Sequence, residues 1–238
     1  GYTDYVISNG RGKRGPRSFF VKMGTITALS AQKRSPDRVN VYIDGEFAFG
    51  LAYVAAARLH LGQILSAADI AALQELDAVE KAKENAMRFL SYRPRSQAEV
   101  QQHLQKKGYS ETAIHDVIER LTAVDLLNDE SFARYWVEQR ETFKPRGQFA
   151  LMQELQQKGI HPQIINRVLS ELDETAAAQQ AADKKARQLA GQPEAIFKQK
   201  LSQYLQRRGF PYDIIRATVD DLWGSLGDAS TTAQDFFD

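Results

Sequence analysis

On either side of Asp44-Gly45, from Val39 to Ile43 and from Phe47 to Leu51, the apolar positions recur at every second residue. Val39, Val41 and Ile43 alternate with Asn40 and Tyr42, the period of a half-buried strand. Phe47, Phe49 and Leu51 alternate in the same way beyond Asp44-Gly45, a dipeptide suited to a two-residue hairpin turn because Gly tolerates positive φ. Ile26, Ala28 and Leu29 precede the turn-rich KRSPDR stretch. A lone hairpin is marginal in water, so this unit is expected to hold three strands or to lean on a neighbour. Residues 52–76 read as two short helices. The first runs from about Ala52 to near Gly62, and the second starts after Ser66, where S-A-A-D resembles a capping box. Asp77 and Glu80 offer a similar start for the helix that follows.

From there on the pattern is an internal repeat of about fifty residues. With Gly108, Gly159 and Gly209 aligned, Leu104, Leu155 and Leu205 stand four residues earlier, and Val100, Leu151 and Leu201 eight earlier. Ile114, Ile165 and Ile215 come six residues later, and Leu121, Leu172 and Leu222 thirteen later. The two earlier positions share one face of a helix. Each glycine fits the position just past a helix end, where the left-handed conformation penalises a side chain. Ser110 and Pro162 suit the start of the next helix. Ser96-Gln-Ala-Glu99 is a capping box. A third helix precedes each pair, around Ala82, Ala86, Phe89 and Leu90, then Phe132, Ala133, Trp136 and Val137, then Ala182, Ala186 and Leu189. Asp129 is expected to cap the second of these.

The expected fold is therefore mainly α: three tandem three-helix repeats forming an elongated curved body, with a small N-terminal β-hairpin or three-stranded unit. The expected layout is a flexible basic arm at 1–24, the β unit at 25–51, connecting helices at 52–79, repeats at 80–128, 129–176 and 177–224, and an acidic flexible tail at 225–238.

Composition adds exclusions. The 238 residues contain no Cys, which removes disulfide scaffolds, cysteine nucleophiles and Cys-zinc sites. No apolar run reaches the roughly 18 residues of a membrane span, and the start lacks the apolar core of a secretory signal. A monomer in the cytoplasm, with no membrane contact, is expected. The formal net charge of +1 hides an uneven distribution. Arg11, Lys13, Arg14, Arg17, Lys22, Lys33, Arg34 and Arg38 crowd the start, and only Asp residues carry charge after Val219. Residues 1–22 read either as an arm, or residues upstream of a natural start at Met23, or as a basic segment that touches a polyanion. GRGKRG lacks the spacing of a phosphate loop.

Catalytic chemistry is not written in the chain. His60, His103, His115 and His161 fall at no metal-binding spacing, and neither a GxSxG nor a kinase set of motifs is present. No cofactor, metal or enzymatic activity is expected. Basic residues do recur at corresponding places. Arg93, Arg95, Lys144 and Arg146 lie in the inter-helix turns, and Lys106, Lys107, Lys158, Arg207 and Arg208 at helix ends. Arg134 and Arg140 lie on the long helix of the second repeat. Singly, each reads as a solvated side chain or a partner for the helix dipole. As a set they could line a basic track on a concave surface that contacts phosphates without reading sequence. Tyr92 and Phe143 precede the two Pro-Arg pairs and suit either base stacking or helix packing.

The run YRPRSQAEVQQHLQKKG, followed by LLNDESFARYWVEQR and LQQKG, resembles the RecX recombination regulators of bacteria. ITALSAQKR and RVNVYIDGEFAFGL resemble the β-hairpin region ahead of the repeats in longer members. The resemblance implies a modulator of the RecA filament on single-stranded DNA, one that lies in the filament groove, suppresses ATPase, strand-exchange and co-protease activities, and promotes filament shrinkage. The family's basic turns fall on Arg93, Arg95, Lys106, Lys107, Arg146 and Lys158. Whether they meet DNA or RecA stays open. The third repeat departs from the pattern, with no Pro-Arg pair and with Thr218 where Val is expected. The residues also allow a stand-alone nucleic-acid-binding protein, or a helical scaffold for another protein.

Overall fold

The computed structural model describes residues 23–33 and 35–234. The basic arm lies outside them except for its last two residues, as do Asp235 and Asp238. The chain divides into two compact units, with the boundary between Lys81 and Ala82.

The first unit is built on a four-stranded antiparallel sheet in the order β3-β2-β1-β4, with β1 at Met23–Gln32, β2 at Ser35–Ile43, β3 at Glu46–Ala52 and β4 at Ile64–Ser66. Alternation decides which face of β2 is buried. Val39, Val41 and Ile43 point into a core with Ile26, Phe49, Leu51 and Leu65. Both Asp44 (φ 50°) and Gly45 (φ 86°) are left-handed, the conformation of a type I′ turn. The fourth strand corrects the expectation of a hairpin or three-stranded unit. It falls in the gap left between the two helices read from the sequence, where three residues are too few to show a period. The first expected connecting helix is reduced to the helical turn α1 (Tyr53–Ala56), and the second starts after Ser66 as expected but does not stop. A single helix, α2 (Ala67–Leu90), runs through the expected boundary at 79. Its start follows the expected box, with the Ser66 and Asp69 side chains each bonded to the other's backbone N–H, at 3.1 and 2.8 Å. Asp77 does not begin a helix. It is buried inside α2 and takes both oxygens' bonds from Arg38 at 2.8 Å, with Lys81 adding a third.

The second unit holds the repeats. Repeat 1 uses the end of α2, then α3 (Gln97–Lys106) and α4 (Glu111–Ala123). Repeat 2 is α5 (Asp129–Phe143), α6 (Gln148–Gln157) and α7 (Pro162–Leu169), and repeat 3 is α8 (Glu174–Leu189), α9 (Glu194–Gln206) and α10 (Tyr212–Gln234). The last helix thus continues into the segment expected to be a flexible tail. The apolar register is borne out: Val100, Leu104, Leu151, Leu155, Leu201 and Leu205 are all 0% exposed. In α8, Ala177, Ala178, Ala181, Ala182 and Ala186 are buried, and small side chains there let α9 and α10 approach. Ser96 and Glu99 form the expected capping box. The cap of α5 is Asn128, not Asp129; its side chain accepts from the N–H groups of Glu130 and Ser131. Asp129 is diverted to a neighbouring repeat.

That diversion belongs to a joint used twice. The middle helix of one repeat begins where the middle helix of the next repeat ends. At the first joint the Ser96 hydroxyl donates to the Lys158 carbonyl at 2.6 Å, and the Gln97 N–H donates to Asp129 at 2.8 Å. At the second, the Gly147 N–H donates to the Arg208 carbonyl at 3.0 Å and the Gln148 N–H to Glu174 at 2.7 Å. A free carbonyl of one helix end thus takes a donor from another helix start, a hydroxyl at the first joint and an N–H at the second, and a carboxylate takes the next N–H. A side chain at the aligned glycine would block this. A Cβ on Gly159 would lie 2.3 Å from the Ala98 Cβ, and one on Gly209 would lie 2.6 Å from the Ala150 backbone nitrogen.

Gly108 is also left-handed, at φ +84°, but a Cβ there would meet nothing within 4 Å. Gly108→Ala should therefore cost only the conformational penalty, about 1–2 kcal/mol. Gly159→Ala and Gly209→Ala should cost roughly 1–3 kcal/mol more, because the joint must open. Urea unfolding of the three variants measures the difference, and equal costs would show that the joints do not hold the repeats.

Candidate nucleic-acid interface

The joints also dispose of many of the basic side chains expected to bind. Lys158 ends α6, and its ammonium reaches Glu99 near the start of α3 at 2.8 Å. Arg93 grips the same carboxylate through two nitrogens, at 2.8 and 3.2 Å. Burial pushes the Glu99 pKa up, but hydrogen bonds from Arg93 and Lys158, reinforced by their charges, outweigh it and hold the group at about 2. Arg208 donates to the Pro145 carbonyl at 3.0 Å and lies over the Tyr204 ring.

A second carboxylate, Glu154, holds three donors of repeat 2. It accepts from Trp136 Nε1 at 2.7 Å and Arg140 Nε at 2.8 Å, with Arg146 Nε at 3.1 Å. Arg140 and Lys158 lie at 4.7 and 4.9 Å from the centre of the Trp136 ring. A groove forms here between repeats 2 and 3, with Arg140, Arg146, Lys158 and Arg207 set against Glu154, and Trp136 and Phe149 in its wall. Arg134 lies elsewhere, on the outer side of α5. It bridges Glu130 and Glu171, which raise its pKa, while Arg167 also pairs with Glu130.

The remaining basic residues are differently placed. Lys106, Lys107, Lys144 and Arg207 are exposed, and their side chains have no hydrogen-bond or ion-pair partner among the described residues. Arg95 lies over the Phe89 ring at 3.9 Å, and its Nε is buried without a hydrogen-bond partner. Phe89 in turn stacks on His103, with centroids 4.1 Å apart and planes 2° from parallel. Tyr92 and Phe143, 78% and 72% exposed, do not pack inward. The eleven basic residues named from the sequence thus do not form one uniform set. Some are bound to carboxylates or carbonyls, and some are open to a ligand. Sequence reasoning missed Phe89, Glu99, His103 and Glu154 as the residues that separate the two groups. A usable signal was present: His103, Glu154 and Tyr204 each stand five residues before the aligned glycine, and they differ in charge.

Among the described residues, no group of three or more His, Asp or Glu is placed to hold a metal ion, and no helix is long and apolar enough to cross a membrane.

Three tandem three-helix repeats that follow a small antiparallel sheet define a protein of the helical-repeat class. Family models agree on the class and go further. "Regulatory protein RecX N-terminal domain" matches residues 24–66, and the first, second and third three-helix domains of RecX match residues 82–121, 128–169 and 172–219. The chain belongs to the RecX family. It is 35% identical over 205 residues to the regulatory protein RecX of Bacillus subtilis, covering 84% of this chain and 78% of that one. With the Bacillus licheniformis protein of the same name it shares 34% over 204 residues, with the same coverage. A crystal structure of regulatory protein RecX superposes with a TM-score of 0.69 at 28% identity, over 83% of this chain and 99% of that one. RecX from Lactobacillus salivarius gives 0.57 at 28% identity, over 61% and 97%.

The Glu99 cluster should be visible in acid. A carboxylate whose folded pKa lies near 2, below the ordinary 4.5, stabilises the fold above pH 4.5 and loses that contribution as pH falls towards 2. Glu99→Gln should therefore be less stable than the parent at pH 7, with the gap closing as pH falls below 4.5. Urea unfolding across that range reads the effect. A gap that does not change with pH would mean that ionised Glu99 contributes nothing.

Proposed function

We propose that this chain is a non-catalytic regulator of the RecA filament on single-stranded DNA. It binds the filament, lowers its ATPase, strand-exchange and co-protease activities, and promotes its disassembly, acting as a monomer in the cytoplasm. The observation that carries the reading is the order and completeness of the match: all four RecX domains, in sequence, along one chain.

The repeat construction supports it physically. A filament offers the same surface again and again, and a chain of joined repeats can engage several copies at once. Contacts linked in one body raise one another's effective concentration, so each can be weak. A repeat unit that fits one filament geometry better than another shifts the filament by that difference in affinity, and inhibition then needs no bond-making step. The near balance of 31 basic and 30 acidic residues suits a protein that meets both phosphates and a mixed-charge protein surface.

A stand-alone nucleic-acid-binding protein is the second reading, favoured by the exposed side chains of Lys106, Lys107, Lys144 and Arg207, unpartnered among the described residues. One titration separates the two. Added to RecA on single-stranded DNA, the chain should depress ATP hydrolysis at substoichiometric amounts, and a naked strand should not compete it away at moderate salt. Unchanged ATPase over the full titration, with tight and strongly salt-dependent binding to naked strand, would replace the first reading with the second.

A further inference from the structure

The three repeats put different chemistry at one structural position. Five residues before the aligned glycine stands Glu154 in repeat 2, and there it takes up Arg140 and Arg146. The same position in repeat 1 is His103. The counterparts of Arg140 and Arg146 in repeat 1 are Phe89 and Arg95. The carboxylate with its two cations is thus replaced by a stack of Arg95 on Phe89 on His103. The carboxylate whose charge acts on Arg95, Glu99, is already committed to Arg93 and Lys158.

Among the described residues Arg95 is in consequence a cation with no ion pair. Burial, and then the neighbouring charge of Arg93, push its pKa down, and its Nε is buried without an acceptor. Lys106 and Lys107 extend the same positive region. Burial, followed by the charges of Lys107, Arg95 and Lys106, lowers the His103 pKa, so all three cations act on one imidazole. Only Nε is buried; the half-buried guanidinium has no carboxylate partner among the described residues, and an incoming phosphate supplies both charge and acceptor oxygens to it.

We propose that the single-stranded DNA backbone docks on repeat 1, at Arg95, Lys106 and Lys107 around the Phe89–His103 stack. Glu99 and Glu154 meanwhile reserve Arg93, Arg140, Arg146 and Lys158 for internal contacts. The assignment deepens the filament-regulator reading and rests on it for the identity of the strand. His103 is a specificity-determining residue in this scheme, since a carboxylate in its place would rebuild the neutralised arrangement of repeat 2.

The test uses the full chain, a fluorescent oligothymidylate read by anisotropy over a salt series, and RecA ATPase in parallel. Lys106→Glu with Lys107→Glu, at exposed positions that leave the fold intact, should weaken strand binding by about tenfold or more. It should also reduce the salt slope by about 0.7 for each phosphate that is no longer neutralised. Arg140→Gln with Arg146→Gln should change affinity by less than about threefold. His103→Glu should weaken binding, and Glu154→Gln, which frees Arg140 and Arg146, should strengthen it. Normal binding by the Lys106 and Lys107 double variant, or an equal loss in the Arg140 and Arg146 double variant with unchanged melting, overturns the assignment. If the parent inhibits RecA but Lys106 and Lys107 have no influence on strand binding, the site is wrong and the regulator reading stands. If these two residues control strand binding and RecA ATPase is untouched, the site stands and the regulator reading fails.

Discussion

The repeats are held in series by one contact made twice: the carbonyl end of a middle helix seated on the amide end of the middle helix before it. Each helix end carries backbone groups that its own hydrogen-bond ladder cannot satisfy, and the two sets are opposite in kind. Lys158 and Arg208 supply carbonyls to Ser96 and Gly147, while Asp129 and Glu174 supply carboxylates to the next N–H groups along. Burial raises the pKa of both carboxylates, the expected sign for acids drawn into a packed joint. The geometry leaves no room for a methyl group at Gly159 or Gly209. Glycine at a helix end is usually explained by its backbone freedom alone. Here close approach between repeats is a second and independent reason.

The joint also decides what the basic side chains can do. A Lys or Arg beside the terminal glycine sits at the negative end of a helix dipole, and in repeat 2 that same end lies against Glu99 of the preceding repeat. Repeat 1 comes first, so its helix end at Lys106-Lys107-Gly108 has no preceding repeat to seat on, and the space beside Gly108 is open. Between repeats 1 and 2, position in the series therefore separates Lys158, which binds within the chain, from Lys106 and Lys107, which face outward. The change from Glu154 to His103 at the equivalent position moves the balance in the same direction.

Much of the architecture was legible from spacing. The apolar register of α3, α6 and α9, the capping box at Ser96 and the hairpin turn at Asp44-Gly45 are local features, fixed by helix period, strand period and backbone conformation. What escaped was either short or long-range. Strand β4 has three residues and no measurable period. The expected break at Asp77 was absent because Arg38, distant in sequence, offers that carboxylate a better partner than a helix start. Asp129 looked like a cap for the same reason: a lone acid before an apolar run suits one, and only the fold shows that Asn128 takes the role.

The candidate site divides along the same line. Local pattern was enough to establish that the chain is three helical repeats behind a small β unit, that cysteine chemistry is excluded, and that basic residues recur at helix ends and turns. It could not say which of those residues are available, because availability depends on partners about sixty positions away, such as Glu99 for Lys158 and Pro145 for Arg208. Folding settles this by bringing helix ends from successive repeats within hydrogen-bond distance. A charge that ends at a neighbour's carboxylate is part of the scaffold, and one that ends in solvent is part of the surface a partner meets.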